Sequence, residues 1–190
     1  IIVHNSNVNP SDLPADLMGF TDAKWKGRIG WPPTNGSFQS MITAMRNIWG
    51  EPKTKQWLEG IHANDPKVYV KNTPIVAAVA DEEIDVGFVN HYYLHRFQNE
   101  QGMEFNASNH YLSGDGPGSI ILLSGIGVLS HSKNKDLAEA FIQYTLSDHG
   151  QTYFVTQTFE HPLVEGVREG ITNQECPICA IIPDLTAIGT

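Results

Sequence analysis

The sequence has few cysteines, few basic residues and no long apolar run. Two of its 190 residues are cysteine, and 12 lysines and arginines stand against 21 aspartates and glutamates, which gives a formal net charge of −9. No apolar stretch approaches the ~20 residues of a membrane-spanning helix. Because the chain is acidic and has no basic cluster, nucleic acid and anionic membrane surfaces are not expected as partners.

The two cysteines form one isolated Cys-x-x-Cys motif at Cys176 and Cys179. Such a motif is half a zinc site, a redox pair or a local disulfide. A thioredoxin-like redox pair opens a helix after a strand, and the following residues 180–183 (AIIP) do not indicate a helix. We therefore expect an incidental or structural pair.

The start of the chain carries no recognisable targeting signal. It begins IIVH, and no charged segment followed by an apolar one marks a signal peptide. We expect a processed chain or a fragment of a longer protein. Hydrophobic residues make up 41% and charged residues 17%, which is typical of a globular protein with one large domain or two small ones.

Strands alternate with helices along most of the chain, which predicts an α/β architecture. The best-defined helix ends at Gly50 and carries apolar residues at helical spacing: Phe38, Met41, Ile42, Met45, Ile48 and Trp49. The other predicted strands cover residues 1–3, 28–31, 68–70 and 86–90, and the other helices begin near residues 52, 73, 94, 137 and 151. A strand over residues 119–129 is expected to bend like a hinge at Ser124-Gly125. Beyond residue 162 we expect irregular structure.

The most informative segment is residues 85–94 (DVGFVNHYYL). Its apolar residues predict a buried strand that ends at Asn90, and Tyr92 and Tyr93 follow where the chain turns into the next helix. Neighbouring side chains of a strand point to opposite faces, so two adjacent phenols serve one site only beyond the strand end. Ligands of open α/β sheets bind at the carboxyl ends of strands, and phenolate oxygens suit hard cations such as ferric iron. The pair is therefore a candidate metal site, with half-buried packing as the alternative.

Three other loop positions are candidates for the same site. Asn35, Gly36 and Ser37 open a helix, whose backbone N–H groups and dipole favour an anion. Asn72 lies just before another helix start, and Asn90 precedes the tyrosines. Taken singly, each of these residues is more often a cap or turn residue.

Eight short motifs occur together in a recognisable order: residues 24–29 (KWKGRI), 33–38 (PTNGSF), 57–60 (WLEG), 71–73 (KNT), 89–94 (VNHYYL), 124–129 (SGIGVL), 132–134 (SKN) and 162–164 (PLV). Through them the chain resembles the ferric-iron-binding substrate-binding proteins of bacterial ABC transporters. The resemblance runs from residue 1 to residues 161–167, and residues 176–190 do not share it.

The resemblance implies an α/β fold of the periplasmic-binding-protein class II type, with two lobes joined by hinge strands and a mixed sheet flanked by helices in each lobe. It implies that Tyr92 and Tyr93 supply phenolates to Fe(III), and that a synergistic anion, phosphate or carbonate, completes the shell. The implied anion contacts are Asn35, Gly36, Ser37, Asn72 and Asn90.

The function that the resemblance implies is extracytoplasmic capture of ferric iron and its delivery to the inner-membrane permease of an ABC transporter. No catalytic step is implied, so we do not expect an enzyme. The implied location is the bacterial periplasm or a membrane-anchored extracellular position, with any signal peptide outside this chain.

The chain departs from the family at its start, where most of the N-terminal lobe is missing. Residues 1–121 are expected to form the C-terminal lobe with hinge strands, residues 122–168 would return to the missing lobe, and residues 169–190 form a tail. The missing lobe is thus an expected partner. Because residues 126–157 carry an apolar helix face, the isolated chain is expected to self-associate or to be partly disordered there. Some relatives also carry a further tyrosine near the Asn35 turn, where this chain has Ser37 and Phe38.

Three other functions remain open at this point. His91 and His95 have the i, i+4 helical spacing that binds zinc, although the zincin motif needs a glutamate where Tyr92 stands. Ser37 or Ser124 could act as a hydrolytic nucleophile, but there is no Gly-x-Ser-x-Gly elbow. The same fold could also bind another small anion, with the tyrosines as an aromatic wall.

Overall fold

A computed structural model describes residues 1–112 and 116–170 of the chain. The chain divides into two compact units after residue 120, and the first unit contains a five-stranded sheet. Its strands are β1 (Ile2–His4), β2 (Ile29–Trp31), β3 (Lys67–Val68), β4 (Val86–Phe88) and β5 (Ser108–His110), in the spatial order β3-β2-β4-β1-β5.

Four strands of this mixed sheet run in the same direction. β2 pairs in parallel with β3 and β4, whereas β1 is antiparallel to both β4 and β5. One continuous row of paired residues crosses the whole sheet: Lys67, Gly30, Gly87, Val3 and Asn109. The carboxyl ends of β2, β3, β4 and β5 therefore meet at one edge of the sheet.

Helices begin shortly after three of these strands. The helices of the first unit are α1 (Gly36–Trp49), α2 (Glu51–Ala63), α3 (Asn72–Ala80) and α4 (Tyr92–Gln101). α1 follows β2, α3 follows β3 and α4 follows β4, so three helix N-termini lie at the same sheet edge. Gly50, with a φ of 80°, separates α1 from α2 in a conformation that glycine adopts readily. The mixed sheet with flanking helices confirms the predicted α/β class.

Apolar residues form two buried clusters in this unit. One cluster is rich in aromatic residues and includes Phe20, Trp25, Phe38, Trp57 and Phe88. The other is largely aliphatic and includes Val3, Ile75, Val76, Val79 and Ile84. Because the neighbouring β1 residues Ile2 and Val3 belong to the first and the second cluster respectively, the two clusters lie on opposite faces of the sheet.

Two paired glycines allow close packing on the sheet. A Cβ on Gly87 would lie 2.2 Å from Ile75 Cγ2 of α3, and one on Gly30 would lie 2.4 Å from Ile84 Cδ1. Both neighbours are buried, so a larger residue at Gly30 would displace Ile84, and one at Gly87 would push Ile75 away from the strand. Gly87 therefore allows α3, which begins at Asn72, to pack closely on the sheet.

The second unit is described for residues 121–170 and is helical. It contains α5 (Lys135–Thr145), α6 (Asp148–Tyr153), a π-helical turn (Phe154–Thr158) and α7 (Glu165–Gly170). The buried Gln151 joins its segments, because Nε2 donates to the Thr145 carbonyl at 2.8 Å and Oε1 accepts from the Leu163 amide at 2.7 Å.

An apolar stripe runs along α5. Leu137, Phe141 and Tyr144 are 72%, 58% and 54% exposed, and their spacing places them on one helix face. Over the described part of the chain, no helix is both long and apolar enough to cross a membrane.

Three elements differ from the predictions made on sequence. The predicted strand over residues 119–129 is wrong, since Pro117–Ser119 is a 3₁₀ turn and residues 120–129 pair with no strand. An apolar run becomes a strand only when neighbouring backbone satisfies its hydrogen bonds, and none of the described residues does so here. β5 was missed because it is polar and held by its pairing with β1. α7 forms beyond residue 162, where irregular structure was expected.

Candidate metal centre

Tyr92 and Tyr93 lie side by side at the start of α4. β4 ends at Phe88, Val89 is buried, and the helix begins at Tyr92. The two ring centroids are 4.6 Å apart, and the ring planes are tilted by 34°. The alternation of a strand no longer applies at a helix start, so both phenols can serve the same ligand.

Two asparagines contact the phenol hydroxyls. Asn90 Nδ2 donates to the Tyr92 hydroxyl at 3.0 Å. The Tyr93 hydroxyl interacts with the side chains of Tyr92 and Asn72, which act on its pKa in opposite directions. Asn72 is 2% exposed and begins α3, so its amide group has a fixed position. The structure thus brings four of the predicted site residues into one group, which we call the tyrosine–asparagine cluster.

The Tyr93 phenol is neutral at physiological pH. Burial raises its pKa above the usual 10.0, and the hydrogen bond and charge of Tyr92 raise it further. The positive charge of Arg96 and the hydrogen bond from Asn72 lower this pKa but have smaller effects. A metal ion that binds here must therefore displace the phenol proton, which a nearby high positive charge does by favouring the phenolate.

Arg96 covers the faces of both tyrosine rings. Its guanidinium carbon lies 5.0 Å from the Tyr92 ring centroid and 5.4 Å from the Tyr93 ring centroid. A cation over an aromatic face contributes about 0.5–1 kcal/mol at exposed sites. One side chain therefore packs against both phenols. Sequence reasoning missed this residue, although its i+3 and i+4 spacing from the tyrosines places it on their helix face.

The Asn35–Ser37 turn opens α1 at the same edge of the sheet. Asn35 Oδ1 accepts hydrogen bonds from the Ser37 amide at 3.0 Å, the Phe38 amide at 3.4 Å and the Ser37 hydroxyl at 2.6 Å. These contacts are local and cap the helix. Because β2 precedes this turn and pairs in parallel with β4, the N-terminus of the 14-residue α1 begins beside the strand end that carries the tyrosines.

Two further tyrosines follow strands at this edge. Tyr69 and Tyr111 each come two positions after a residue of the paired row, Lys67 on β3 and Asn109 on β5. Burial raises the pKa of Tyr111 to about 12, and burial followed by the charge of Glu83 raises the pKa of Tyr69. Among the described residues, the buried Tyr69 hydroxyl has no hydrogen-bond partner. Tyr111 was missed because its strand carries no apolar pattern.

The alternative sites are less complete. The rings of His91 and His95 are 6.4 Å apart, and the described ranges contain no group of three His, Cys, Asp or Glu residues that could hold a metal. The Ser37 hydroxyl donates to Asn35 at 2.6 Å, so it is directed at an amide oxygen rather than at a general base. Cys176 and Cys179 lie outside the described residues.

Comparison with known proteins identifies the family. Residues 4–178 match the bacterial extracellular solute-binding proteins, and the chain belongs to this family. It is 32% identical over 164 residues to the major ferric iron-binding protein of Neisseria meningitidis. It is 34% identical over 169 residues to iron uptake protein A2 of Synechocystis sp.. These matches cover 86% and 84% of this chain but 49% of each relative, so the chain spans about half their length.

A solved structure has the same fold. The crystal structure of iron-bound HitA from Pseudomonas aeruginosa matches with a TM-score of 0.81 at 32% identity, over 87% of this chain and 54% of that one. This match confirms the predicted fold of the periplasmic-binding-protein type and the resemblance to ferric-iron-binding proteins. The family consists of solute-binding proteins, which agrees with the expectation that the chain is not an enzyme.

Proposed function

We propose that this chain forms part of an extracytoplasmic ferric-iron-binding protein and supplies Tyr92 and Tyr93 as phenolate ligands to Fe(III). The iron is carried as cargo and undergoes no catalytic step. The protein delivers it to the inner-membrane permease of an ABC transporter, from the periplasm or from a membrane-anchored extracellular position. In this proposal the opposing part of the site belongs to a further lobe of the same protein.

The observation that carries the proposal is the tyrosine–asparagine cluster. Its two phenol rings are 4.6 Å apart and belong to the rigid start of a helix. A hard trivalent cation prefers anionic oxygen ligands, and a fixed pair of them binds with little reorganisation. The ferric-iron-binding relatives support the same cargo.

We also propose that a synergistic anion, phosphate or carbonate, binds at the same edge. The N-termini of α1, α3 and α4 all lie there, and their dipoles favour negative charge. Two phenolates do not neutralise Fe(III), so an anion completes both its charge and its coordination. The proposed anion contacts are Asn35, Gly36, Ser37, Asn72 and Asn90.

A ferric titration with matched tyrosine variants tests the phenolate ligands. Ferric nitrilotriacetate is added to the full chain in phosphate or carbonate, and the visible phenolate-to-iron charge-transfer band is recorded. Tyr92→Phe and Tyr93→Phe each keep the ring and remove one ligand, so each should weaken binding by more than the roughly 10–100-fold typical of losing an outer-shell partner. The double variant should be colourless. Tyr144→Phe, which removes an exposed phenol of α5, is the matched control.

Two results would contradict the proposal or redirect it. If the double variant keeps the colour and affinity of the parent chain, the phenols are not ligands. If the parent chain binds phosphate but no iron, the tyrosines serve as an aromatic wall for an anion instead. Because the chain spans about half the length of the relatives above, we expect weaker iron binding than in a two-lobed protein that closes on the metal.

A further inference from the structure

The two histidines at the start of α4 lie one helical turn apart. His91 directly precedes the helix and already has helical backbone angles, φ −57° and ψ −39°. Its ring centroid is 6.4 Å from that of His95, with an interplanar angle of 69°. The Asn109 side chain donates to the His91 carbonyl at 2.9 Å and ties this backbone to β5. Both imidazoles are therefore presented from a fixed turn.

The contact of His95 with Gln98 favours one tautomer for metal binding. His95 Nδ1 lies 3.2 Å from Gln98 Oε1, and an amide oxygen can only accept, so Nδ1 carries the hydrogen in this contact. The lone pair then resides on Nε2. A second hydrogen bond of this kind is the usual way in which proteins orient a metal-binding histidine.

We propose that His91 and His95 form a separate binding site for a borderline divalent cation, with Zn²⁺ as its reference ligand. Imidazole suits Zn²⁺, Cu²⁺ and Ni²⁺, whereas the hard oxygens of the tyrosine pair suit ferric iron. A metal bonded to one nitrogen of each ring at about 2.0–2.1 Å would hold the ring centres roughly 5–6 Å apart. The observed 6.4 Å separation therefore needs only a small side-chain rotation.

The site should have moderate affinity. Two imidazoles supply only part of a tetrahedral shell, and no further His, Cys, Asp or Glu completes a group of three within the residues that the structure describes. The proposal does not depend on iron binding by the tyrosines, because its two ligands are different side chains with a different metal preference. Failure of one assignment therefore leaves the other intact.

The test is a zinc titration of the full, untagged chain. Cys176 and Cys179 could bind zinc themselves, so every protein carries Cys176→Ser and Cys179→Ser. We expect one saturable zinc per chain by equilibrium dialysis. His91→Gln and His95→Gln should each weaken binding about tenfold or more. His62→Gln, at an exposed position of α2, should leave it unchanged.

A second measurement does not rely on histidine substitutions. In the chain that carries only Cys176→Ser and Cys179→Ser, labelled with ¹⁵N-histidine, zinc should shift the imidazole signals of His91 and His95 and leave that of His62 in place. The double variant Tyr92→Phe/Tyr93→Phe should bind zinc as the parent does. The proposal is overturned if zinc binding is not saturable, if it is unaffected by both histidine substitutions, or if the signals of other histidines shift instead.

Discussion

Asn90 Nδ2 donates a hydrogen bond to the Tyr92 hydroxyl at 3.0 Å, across the turn that joins β4 to α4. The donor lies in this turn, two residues after β4, and the acceptor belongs to the first residue of α4, so the bond orients the phenol relative to the turn. The neighbouring phenol, Tyr93, interacts with the Asn72 side chain of α3, which lowers the pKa of Tyr93. Each ligand of the proposed iron site thus interacts with a different segment of the chain.

Removing the Asn90 amide should weaken ferric-iron binding more than it affects stability. A hydrogen bond of this kind contributes about 0.5–1.5 kcal/mol, so Asn90→Ala should lower iron affinity roughly two- to thirteenfold. Asn106→Ala is the control, because the Asn106 amide donates to the Ala80 carbonyl and Glu82 instead. That variant should lower the melting temperature and leave iron affinity unchanged. If Asn90→Ala instead lowers the melting temperature and leaves iron affinity unchanged, Asn90 acts only in folding.

Iron binding should release protons and strengthen as pH rises. Burial raises the pKa of Tyr93 above 10.0, so its phenol is protonated at pH 7 and must lose that proton to the metal. Affinity therefore increases with pH and falls in acid, where protons compete for the phenolate. Competition with nitrilotriacetate at several pH values, corrected for titration of the chelator, measures the slope of the logarithm of iron affinity against pH. Tyr93→Phe should reduce the slope by one proton, and an unchanged slope would contradict the assignment.

Arg96 should lower the pKa of the Tyr93 phenol in the metal-free protein. Its positive charge opposes the effects of burial and of Tyr92, so Arg96→Leu should move the ultraviolet titration of a tyrosine to higher pH. Arg96→Lys keeps the charge and should move it less. The affected transition should be absent from Tyr93→Phe. A titration that is identical in the parent and Arg96→Leu would show that the guanidinium only packs on the rings.

Gly87→Ala should destabilise the first unit. The added methyl group would meet Ile75 of α3 at 2.2 Å, and overpacking of this kind typically costs about 1–3 kcal/mol. Gly36→Ala is the matched control, because its added methyl would have no neighbour within 4 Å. Chemical denaturation gives the free energy of unfolding of both variants. Equal stability of the two would mean that α3 can move away from the sheet without cost.

The apolar stripe of α5 should make the chain self-associate. Leu137 and Phe141 are 72% and 58% exposed, and water-exposed apolar area of this kind marks an association surface. Sedimentation velocity should show concentration-dependent oligomers of the parent chain and a monomer for Leu137→Ser/Phe141→Ser. Val70→Ser changes an equally exposed apolar residue of the first unit and should not affect association. A monomeric parent chain would contradict this prediction.

The sequence predicted those elements whose own residues carry the signal. α1 could be predicted because six apolar residues repeat at helical spacing before Gly50. The β4–α4 junction could be predicted because an apolar run ends in polar residues. β5 and the conformation of residues 120–129 could not be predicted. In both cases strand formation depends on whether a neighbouring backbone offers hydrogen bonds, which local composition does not reveal.

The same division applies to the site. Tyr92 and Tyr93 were found because two adjacent phenols just beyond a strand end can serve one site, and Asn72 was found because it lies just before a predicted helix start. Their hydrogen bonds, the cover by Arg96 and the position of Tyr111 depend on the tertiary structure. The row of paired residues from Lys67 to Asn109 shows why, since it brings together strands from distant parts of the sequence.

That row also has a consequence for how the site can change during evolution. Each of the turns at the sheet edge belongs to a different strand, and the strands are held in register by backbone bonds that do not depend on the turn residues. A substitution in one turn can therefore alter one donor while the others keep their places. The turns at the edge can therefore be substituted one at a time while the paired strands keep their register.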